Sequence, residues 1–310
     1  IGIVLLLFAF VPQFGLEGIW VSVFTAISAF CNAGFDLFGR FGQYSSLAPY
    51  VNNYYVQAVV MFMIISGGLG FMVWVEIGEY HKKHRLSLQA KVVLSFSVIL
   101  WLGGAALIAL MEWNNPASMG GLSVPGKLMA ALFQSVSTRT AGMNTIDLAA
   151  CGPITKLLMS ALQFIGAAPG STGGGVKVAR IIIVFKLLRK ELIRMLHPRA
   201  VRAVHISGKT VDNKVGKGVT VFMAAYFAVF TASFLLVSLD NMSLETNVTA
   251  VVSCLSNIGP GLDVVGPMGN FSQFSGFSKI VLSLDMLFGR LEFFPLILLF
   301  SPSLWRRRVA

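Results

Sequence analysis

Charged residues are scarce in this chain. Only 12% of its 310 residues are Asp, Glu, Lys or Arg, and Asp and Glu together number 13. A soluble domain carries about 25% charged residues, so this composition excludes an ordinary soluble protein. The 55% share of hydrophobic residues instead predicts an integral membrane protein.

Cysteine and histidine are also sparse, with three and four copies. Cys31, Cys151 and Cys254 have no metal-ligand spacing, which favours buried small residues over disulfides or zinc ligands. All four histidines lie in basic segments away from any acidic cluster. We see no nucleophile–base or metal constellation, and we therefore predict neither an enzyme nor an organic cofactor.

Long apolar stretches are what the chain does contain. Four of them approach or exceed the roughly 20 residues that cross a bilayer, at 54–77, 92–111, 219–239 and 277–300. A further apolar run at 1–10 resembles the end of a membrane helix whose start is missing. These segments predict an all-α protein with several membrane spans.

The net charge of +11 is concentrated in three places, at 81–91, 186–217 and 306–308. Threading the apolar spans through a membrane puts all three clusters on one side. An excess of Lys and Arg marks the cytoplasmic side, so these segments are predicted to be cytoplasmic. This distribution favours a membrane protein in contact with lipid, and we expect no nucleic-acid partner.

Three short runs of small and hydroxyl residues each contain a glycine just past an amphipathic segment. They are SAFCNAGFD at 28–36, STRTAGMN at 137–144 and CLSNIGPG at 254–261. Their glycines recur about every 110 residues, a period that indicates a repeated membrane module rather than a solenoid. Each module is predicted as a helix, a short pore helix, an extended loop and a returning helix.

An extended loop at membrane depth must be buried in protein or line a water-filled cavity. Three such loops around one axis would offer backbone carbonyls to a dehydrated cation, and glycine permits the positive φ that turns them there. The alternative is close helix crossing at small residues. Asp36, Asp147 and Asp263 follow the glycines and would attract cations at an outer mouth, although each alone is more simply a solvated carboxylate.

The second returning helix is predicted to break at 166–175, whose sequence GAAPGSTGGG carries heavy helix penalties. The other two returning helices are expected to be continuous. A phosphate-binding loop is disfavoured because Val178 stands where a hydroxyl residue follows the lysine. The remaining interpretations are a movable gate under the loops or a flexible kink without function.

Arg290 lies inside the last apolar stretch, where a charge costs several kcal/mol unless it meets partners or water. One interpretation pairs it with Asp285 or Glu292. The other points it into a pore below the loops, where it would lower cation occupancy. Lys177 and Arg180 are expected to extend toward the cytoplasmic interface.

Five segments together resemble the Trk/Ktr/HKT superfamily of potassium transporters, and most closely its bacterial Trk membrane subunits. The segments are ISAFCNAGF at 27–35, STRTAG at 137–142, PGSTGGG at 169–175, NIGPG at 257–261 and FGRLE at 288–292. The resemblance implies four helix–pore-helix–loop–helix modules around a pseudo-fourfold pore, each giving one filter glycine. It also implies glycine-based selectivity for K⁺ over Na⁺.

The resemblance assigns roles to two groups of residues. The implied K⁺ filter comprises Asn32, Ala33, Gly34, Phe35, Thr138, Arg139, Thr140, Ala141, Gly142, Met143, Ser256, Asn257, Ile258, Gly259 and Pro260. The implied gate comprises Gly166, Pro169, Gly170, Ser171, Thr172, Gly173, Gly174, Gly175 and Arg290. It further implies a homodimer in the bacterial cytoplasmic membrane, with a cytoplasmic ring of nucleotide-binding regulatory subunits.

Only three of the four expected modules are found, at 1–80, 81–218 and 219–310. The first of these lacks most of its leading helix, so we expect a fragment, a truncated product or a trimmed chain. The predicted function is potassium uptake across the cytoplasmic membrane. The alternatives are a non-conducting scaffold or regulatory subunit and a Na⁺- or H⁺-coupled potassium symporter.

Overall fold

The computed structural model describes residues 1–40, 42, 45–197, 205–206, 209–210, 212–267 and 269–291. This part of the chain is almost entirely helical. Its helices are α1 (Gly2–Phe14), α2 (Glu17–Phe30), α3 (Tyr54–Gly68), α4 (Phe71–Lys83), α5 (Leu88–Glu112), α6 (Val124–Ser137), α7 (Pro153–Phe164), α8 (Val178–Leu196), α9 (Asn213–Val237), α10 (Leu244–Ser256) and α11 (Gly276–Leu291). Two-residue strands β1 (His205–Ile206) and β2 (Lys209–Thr210) form one antiparallel hairpin between α8 and α9.

Within the described residues, two helices are long and apolar enough to cross a bilayer, α5 and α9, with 25 residues each. Both begin at a side-chain cap, because the Ser87 hydroxyl accepts from the Ala90 amide and the Asp212 carboxylate accepts from the Lys214 amide. Such caps satisfy amides that have no partner within the helix. The two spans therefore start at defined polar residues next to the basic segments.

The helices too short to cross a bilayer include α2, α6 and α10, with 14, 14 and 13 residues. Each packs against longer neighbours: α2 on α1 and α3, α6 on α5 and α3, and α10 on α9 and α11. Each is followed at once by an irregular loop. These three half-length helices therefore lie inside the molecule, and the C-terminus of each leads directly into a loop.

The expectation of one continuous helix over 54–77 is wrong. The chain bends by 97° between α3 and α4. Gly70 has a φ of +86°, and the Phe71 amide donates to the Gly170 carbonyl at 3.1 Å instead of to its own helix. A side chain at Gly70 would lie 2.8 Å from the Pro169 carbonyl. The helix breaks because it docks on the Gly-rich segment, so two returning helices are interrupted rather than one.

The interruption expected at 166–175 is observed between α7 and α8, and we call these residues the Gly-rich segment. Its two ends pair at a bridge between Ile165 and Val176, and the Gly166 amide donates to the Val176 carbonyl at 2.9 Å. The Val178 amide reaches back to the Ala167 carbonyl at 3.3 Å. These bonds satisfy backbone groups that lipid could not satisfy.

Parts of the sequence-based prediction lie outside the described residues. They include residues 292–300 of the last apolar stretch, with Glu292, and the basic cluster at 306–308. Most of 198–211 within the long basic segment also lies outside them.

Candidate functional site

Each half-length helix leads into a loop built around a left-handed glycine. We call them convergent loop 1 (residues 31–36), convergent loop 2 (138–144) and convergent loop 3 (257–261). The φ angles are +74° at Gly34, +77° at Gly142 and +104° at Gly259. Only glycine adopts such angles without steric cost, so these positions are restricted by backbone conformation alone.

The three loops meet at one place. A β-carbon at Gly34 would lie 2.7 Å from the Ala141 carbonyl oxygen and 3.3 Å from that of Ile258. One at Gly142 would overlap the Ile258 carbonyl oxygen and lie 2.8 Å from the Pro260 ring. Gly34 and Gly142 therefore leave the space into which carbonyls of the neighbouring loops project.

The carbonyl oxygens that project beside Gly34 and Gly142 accept no hydrogen bond from the protein's described residues. Within the described part of the chain, no hydrogen bond ends on the carbonyl of Ala141 or Ile258. The carbonyls of Phe35, Met143 and Pro260 instead turn back toward the short helices, where side chains bind them. The residue before each glycine, rather than the residue after it, presents an open oxygen in loops 2 and 3.

Sequence reasoning missed the side chains that bind these carbonyls. They belong to Ser28, Ser137 and Ser253, all buried. The available signal was a serine five or six residues before each glycine.

The residue two places before each glycine is also left-handed: Asn32 at φ +51°, Thr140 at +84° and Asn257 at +55°. Asparagine is a frequent left-handed residue after a helix. The amides of Asn32 and Asn257 close that turn on the carbonyls of Ala29 and Cys254. Both asparagines thus serve as helix-ending residues. Thr140 is β-branched and strained there.

Other predicted filter side chains face away from the junction. The Thr138 hydroxyl binds the Gln134 carbonyl of its own helix at 2.6 Å. Arg139 is buried, donates to the Gly166 carbonyl at 3.0 Å and lies over the Trp101 ring at 5.8 Å. Arg139 therefore joins convergent loop 2 to the start of the Gly-rich segment.

Three remaining predicted residues occupy the edges of the junction. Ser256 is buried, with its hydroxyl 3.2 Å from the Tyr226 hydroxyl. Phe35 is 69% exposed, and Ala33 lines a cavity beside it.

The Gly-rich segment contacts all three convergent loops. The Thr172 hydroxyl donates to the Phe30 carbonyl at 2.9 Å and accepts from the side-chain amide of Asn32 at 3.2 Å. A side chain on Gly173 would overlap the Thr140 hydroxyl, and one on Gly174 would lie 2.8 Å from the Asn257 side chain. Its glycines therefore allow the segment to lie directly against the junction.

Two basic side chains also bind the Gly-rich segment. Arg290 of α11 donates to the Thr172 carbonyl. Lys177 donates to the Gly173 carbonyl at 2.6 Å, so the expectation that Lys177 extends toward the interface is wrong. The Arg180 guanidinium lies 3.9 Å from the centre of the Phe222 ring.

Arg290 also lines a cavity of about 290 Å³ between convergent loops 1 and 3. The carboxylate of Asp285, one of its suggested partners, accepts from the Ser233 hydroxyl at 2.6 Å. Arg290 thus lies at the cavity, while Glu292, the other suggested partner, is outside the described residues.

The three acidic residues after the glycines make local bonds. Asp36 accepts from the Phe38 amide at 2.9 Å, and Asp147 from the Ala149 amide at 2.8 Å. Asp263 accepts from the hydroxyls of Ser243 and Thr246, which hold its pKa below the usual value. These local bonds favour the interpretation of each residue as an ordinary loop carboxylate over a shared role in attracting cations.

The fold and site define a helical protein with apolar helices of membrane-spanning length and three glycine-containing loops that meet at one point. A family model described as "TrkH: Cation transport protein" matches residues 3–307. The chain belongs to this family of cation transport proteins. Membership, together with two helices that suit a bilayer, confirms the predicted location as an integral protein of the bacterial cytoplasmic membrane.

Curated relatives carry uptake functions in their names. The chain is 34% identical over 288 residues to the potassium/sodium uptake protein NtpJ of Enterococcus hirae, covering 92% of the chain and 57% of that protein. It is 32% identical to the Ktr system potassium uptake protein B of Vibrio alginolyticus, covering 94% and 61%. It is 31% identical to the Trk system potassium uptake protein TrkH of Escherichia coli, covering 86% and 54%.

A solved structure has the same fold. The crystal structure of the potassium transporter TrkH from Vibrio parahaemolyticus aligns with a TM-score of 0.77 at 27% identity, covering 98% of this chain and 63% of that one. The chain spans a little over half the length of the curated relatives it matches. The resemblance to the Trk and Ktr potassium transporters is confirmed.

Proposed function

We propose that these residues form most of a potassium uptake pathway across the cytoplasmic membrane. The observation that carries the proposal is the meeting of Gly34, Gly142 and the Ile258 carbonyl at one point, with open carbonyl oxygens there. Carbonyl oxygens replace the water shell of a dehydrated cation. The names of three relatives, two potassium uptake proteins and one potassium/sodium uptake protein, support K⁺ as the ion.

The driving force is the membrane potential. It contributes about 2.3 kcal/mol per 100 mV for one positive charge, and a tenfold concentration ratio costs about 1.4 kcal/mol. A potential of 100 mV would therefore hold roughly a forty-fold accumulation of K⁺ without a coupled ion.

We propose a pseudo-fourfold filter of which the three convergent loops supply three sides. The open space beside Gly259, where a side chain would meet nothing within 4 Å, supports this arrangement. So does the cavity of about 290 Å³ between loops 1 and 3, which leaves room for a fourth loop. On this proposal the module boundaries are 1–80, 81–218 and 219–310.

The Gly-rich segment is proposed as the gate. It lies against all three loops and is held there by Thr172, Lys177 and Arg290. A positive charge below the filter would also lower cation occupancy. Opening then requires the segment to leave the junction and the Arg290 bond to the Thr172 carbonyl to break.

The proposed partners follow from charge and from family membership. The basic residues at 186–217, of which Arg189 and Arg194 on α8 are exposed, suit anionic lipid or a cytoplasmic regulatory ring that binds nucleotide. A homodimer is proposed as the assembly. Cross-linking of the whole protein in membranes tests the dimer, and co-purification with a cytoplasmic subunit tests the ring.

The filter is tested by Gly142→Ser in the whole protein. A β-carbon there would overlap the Ile258 carbonyl oxygen, so the K⁺/Na⁺ flux ratio in liposomes should fall several-fold. Gly218→Ser in α9 is the matched control, since a β-carbon there meets nothing within 4 Å. An unchanged ratio in Gly142→Ser, with normal incorporation, would contradict the filter assignment.

The gate is tested by deletion of several residues within 166–175. Removing the obstruction should raise K⁺ flux at normal expression. Arg290→Gln should also raise flux, because it removes the charge and weakens the bond to Thr172. Flux that stays at the parent level in both variants would show that the segment does not obstruct the path.

A further inference from the structure

Three serines occupy the same place relative to the convergent loops. Ser28, Ser137 and Ser253 lie in the last turns of the three half-length helices and are 5%, 1% and 0% exposed. Each hydroxyl donates to a carbonyl at or just after the loop glycine. The acceptors are Phe35 at 2.7 Å, Met143, and both Gly259 at 2.9 Å and Pro260 at 3.0 Å.

The main chain of the same serines holds the other side of each glycine. The Ala33 amide donates to the Ser28 carbonyl at 2.9 Å, and the Ile258 amide donates to the Ser253 carbonyl at 3.0 Å. In convergent loop 2 the Ser137 carbonyl accepts from the Ala141 amide at 2.9 Å. Each serine therefore makes hydrogen bonds to the loop on both sides of the loop glycine's α-carbon.

This double attachment fixes the direction of the loop carbonyls. The serine hydroxyl binds a carbonyl at or just after the glycine, and the serine carbonyl binds an amide before it, so the peptide units between these two bonds cannot rotate freely. In loop 3 the open Ile258 carbonyl lies directly before the bound Gly259 carbonyl, and in loop 2 the open Ala141 carbonyl lies two residues before the bound Met143 carbonyl. Without the hydroxyl, the bound carbonyl would be buried without a partner, and the peptide unit would be free to rotate toward the junction.

We propose that Ser28, Ser137 and Ser253 are positioning residues that set ion selectivity by fixing which carbonyl faces the ion. The inference rests on the proposed function and deepens it. The serines do not touch the ion, and they act through the peptide units that they bind. Three independent loops carry the same contact, which a purely local packing role would not require.

The test compares Ser→Ala at 28, 137 and 253, one at a time, in the whole protein reconstituted in liposomes. We expect each variant to lower the K⁺/Na⁺ flux ratio by threefold or more while K⁺ flux persists. Ser→Cys at the same positions keeps the volume and a weak donor, so it should give an intermediate ratio. The cysteine variants also keep the test informative where an alanine variant does not fold.

Ser22→Ala is the matched control. Ser22 lies in α2, is fully buried and donates at 2.7 Å to the Gly18 carbonyl of its own helix. Its loss should leave the flux ratio unchanged. Unchanged ratios in all folded variants at 28, 137 and 253, or an equal fall in Ser22→Ala, would overturn the inference.

Failure of the inference is distinguishable from failure of the proposed function. If Gly142→Ser lowers the ratio and the serine variants do not, only the positioning role is lost. If Gly142→Ser has no effect either, the filter assignment itself fails.

Discussion

Thr140 is the residue whose backbone is most strained near the junction. Its φ of +84° is rare for a β-branched side chain, and such positions cost of order 1–3 kcal/mol. Its hydroxyl is buried without a hydrogen-bond partner in the described part of the chain. The equivalent residues in the other two convergent loops are asparagines, which adopt this conformation more readily.

Thr140→Asn should therefore raise stability. Relief of about 1 kcal/mol corresponds to a rise of roughly 2–4 °C in the thermal unfolding midpoint, measured in detergent. Thr145→Asn is a control, because Thr145 is equally buried but is not among the residues of positive φ. A lower midpoint in Thr140→Asn than in the parent would show that relief of backbone strain does not decide the stability at this position.

Asp263 gives a prediction for pH. The hydroxyls of Ser243 and Thr246 hold its pKa below the usual 3.8, so the carboxylate stabilises the folded state. That contribution is present above the unfolded pKa and is lost as the pH falls through the lower folded pKa. The thermal midpoint of the parent should fall between pH 5 and pH 3 by more than that of Asp263→Asn. Parallel acid profiles for the two proteins would contradict this role.

At the residue scale the glycines were predictable and the serines were not. Gly34, Gly142 and Gly259 stand out because small residues repeat after apolar segments. A serine inside a helix has many local uses, and most bind their own helix, as Ser22 does. Only the tertiary path of each loop distinguishes Ser28 from Ser22.

At the element scale, two interrupted helices dock on one another. The Ala168 amide donates to the Gly68 carbonyl at 3.1 Å, and the Thr172 amide donates to the Gly67 carbonyl at 3.2 Å. With the bond from Phe71 to Gly170, three main-chain hydrogen bonds join the α3–α4 break to the Gly-rich segment. A change in the direction of α4 would therefore displace the Gly-rich segment through these three hydrogen bonds.

Gly70→Ala tests the contact between the α3–α4 break and the Gly-rich segment. A φ of +86° strains alanine, and its methyl group would lie 2.8 Å from the Pro169 carbonyl oxygen. We expect a loss of about 1–3 kcal/mol and a change in K⁺ flux, measured by unfolding in detergent and by liposome uptake.

Gly78→Ala in the same helix is the matched control. A β-carbon there meets nothing within 4 Å, so it should stabilise α4 by about 0.5–1 kcal/mol and leave flux unchanged. Equal effects of the two substitutions would contradict a specific docking role for Gly70.

The sequence predicted one helix break and missed the other for a physical reason. The segment 166–175 has five glycines and a proline, so no helix survives there. The segment around Gly67, Gly68 and Gly70 is embedded in apolar residues, and hydropathy alone favours a continuous span. Its three glycines were a weaker signal, because the bend depends on bonds to a segment a hundred residues away.

At the scale of the whole molecule, charge sets the orientation. The basic segments next to α4 and α8 are predicted to lie in the cytoplasm, which puts the connections after α5 and before α11 outside. The spans α5 and α9 could be placed from sequence because hydropathy depends on composition over many residues. The direction of individual carbonyls depends on tertiary hydrogen bonds and could not be placed in this way.

Cysteine labelling tests the orientation. In a Cys31→Ser background, Ala117→Cys and Ser272→Cys should react with a membrane-impermeant maleimide in intact spheroplasts. Lys83→Cys and Arg189→Cys should react only after permeabilisation. All four positions are exposed. Labelling of Lys83→Cys in sealed spheroplasts would contradict the assigned orientation.

The central claim is that the convergent loops bind a dehydrated cation where they meet. Crystals of the whole protein grown with Rb⁺, a K⁺ substitute with anomalous scattering, test this most directly. We predict an anomalous peak between Gly34, Gly142 and Gly259, within ligand distance of the Ala141 and Ile258 carbonyl oxygens. A well-ordered junction without such a peak, in a preparation that transports Rb⁺, would contradict the account.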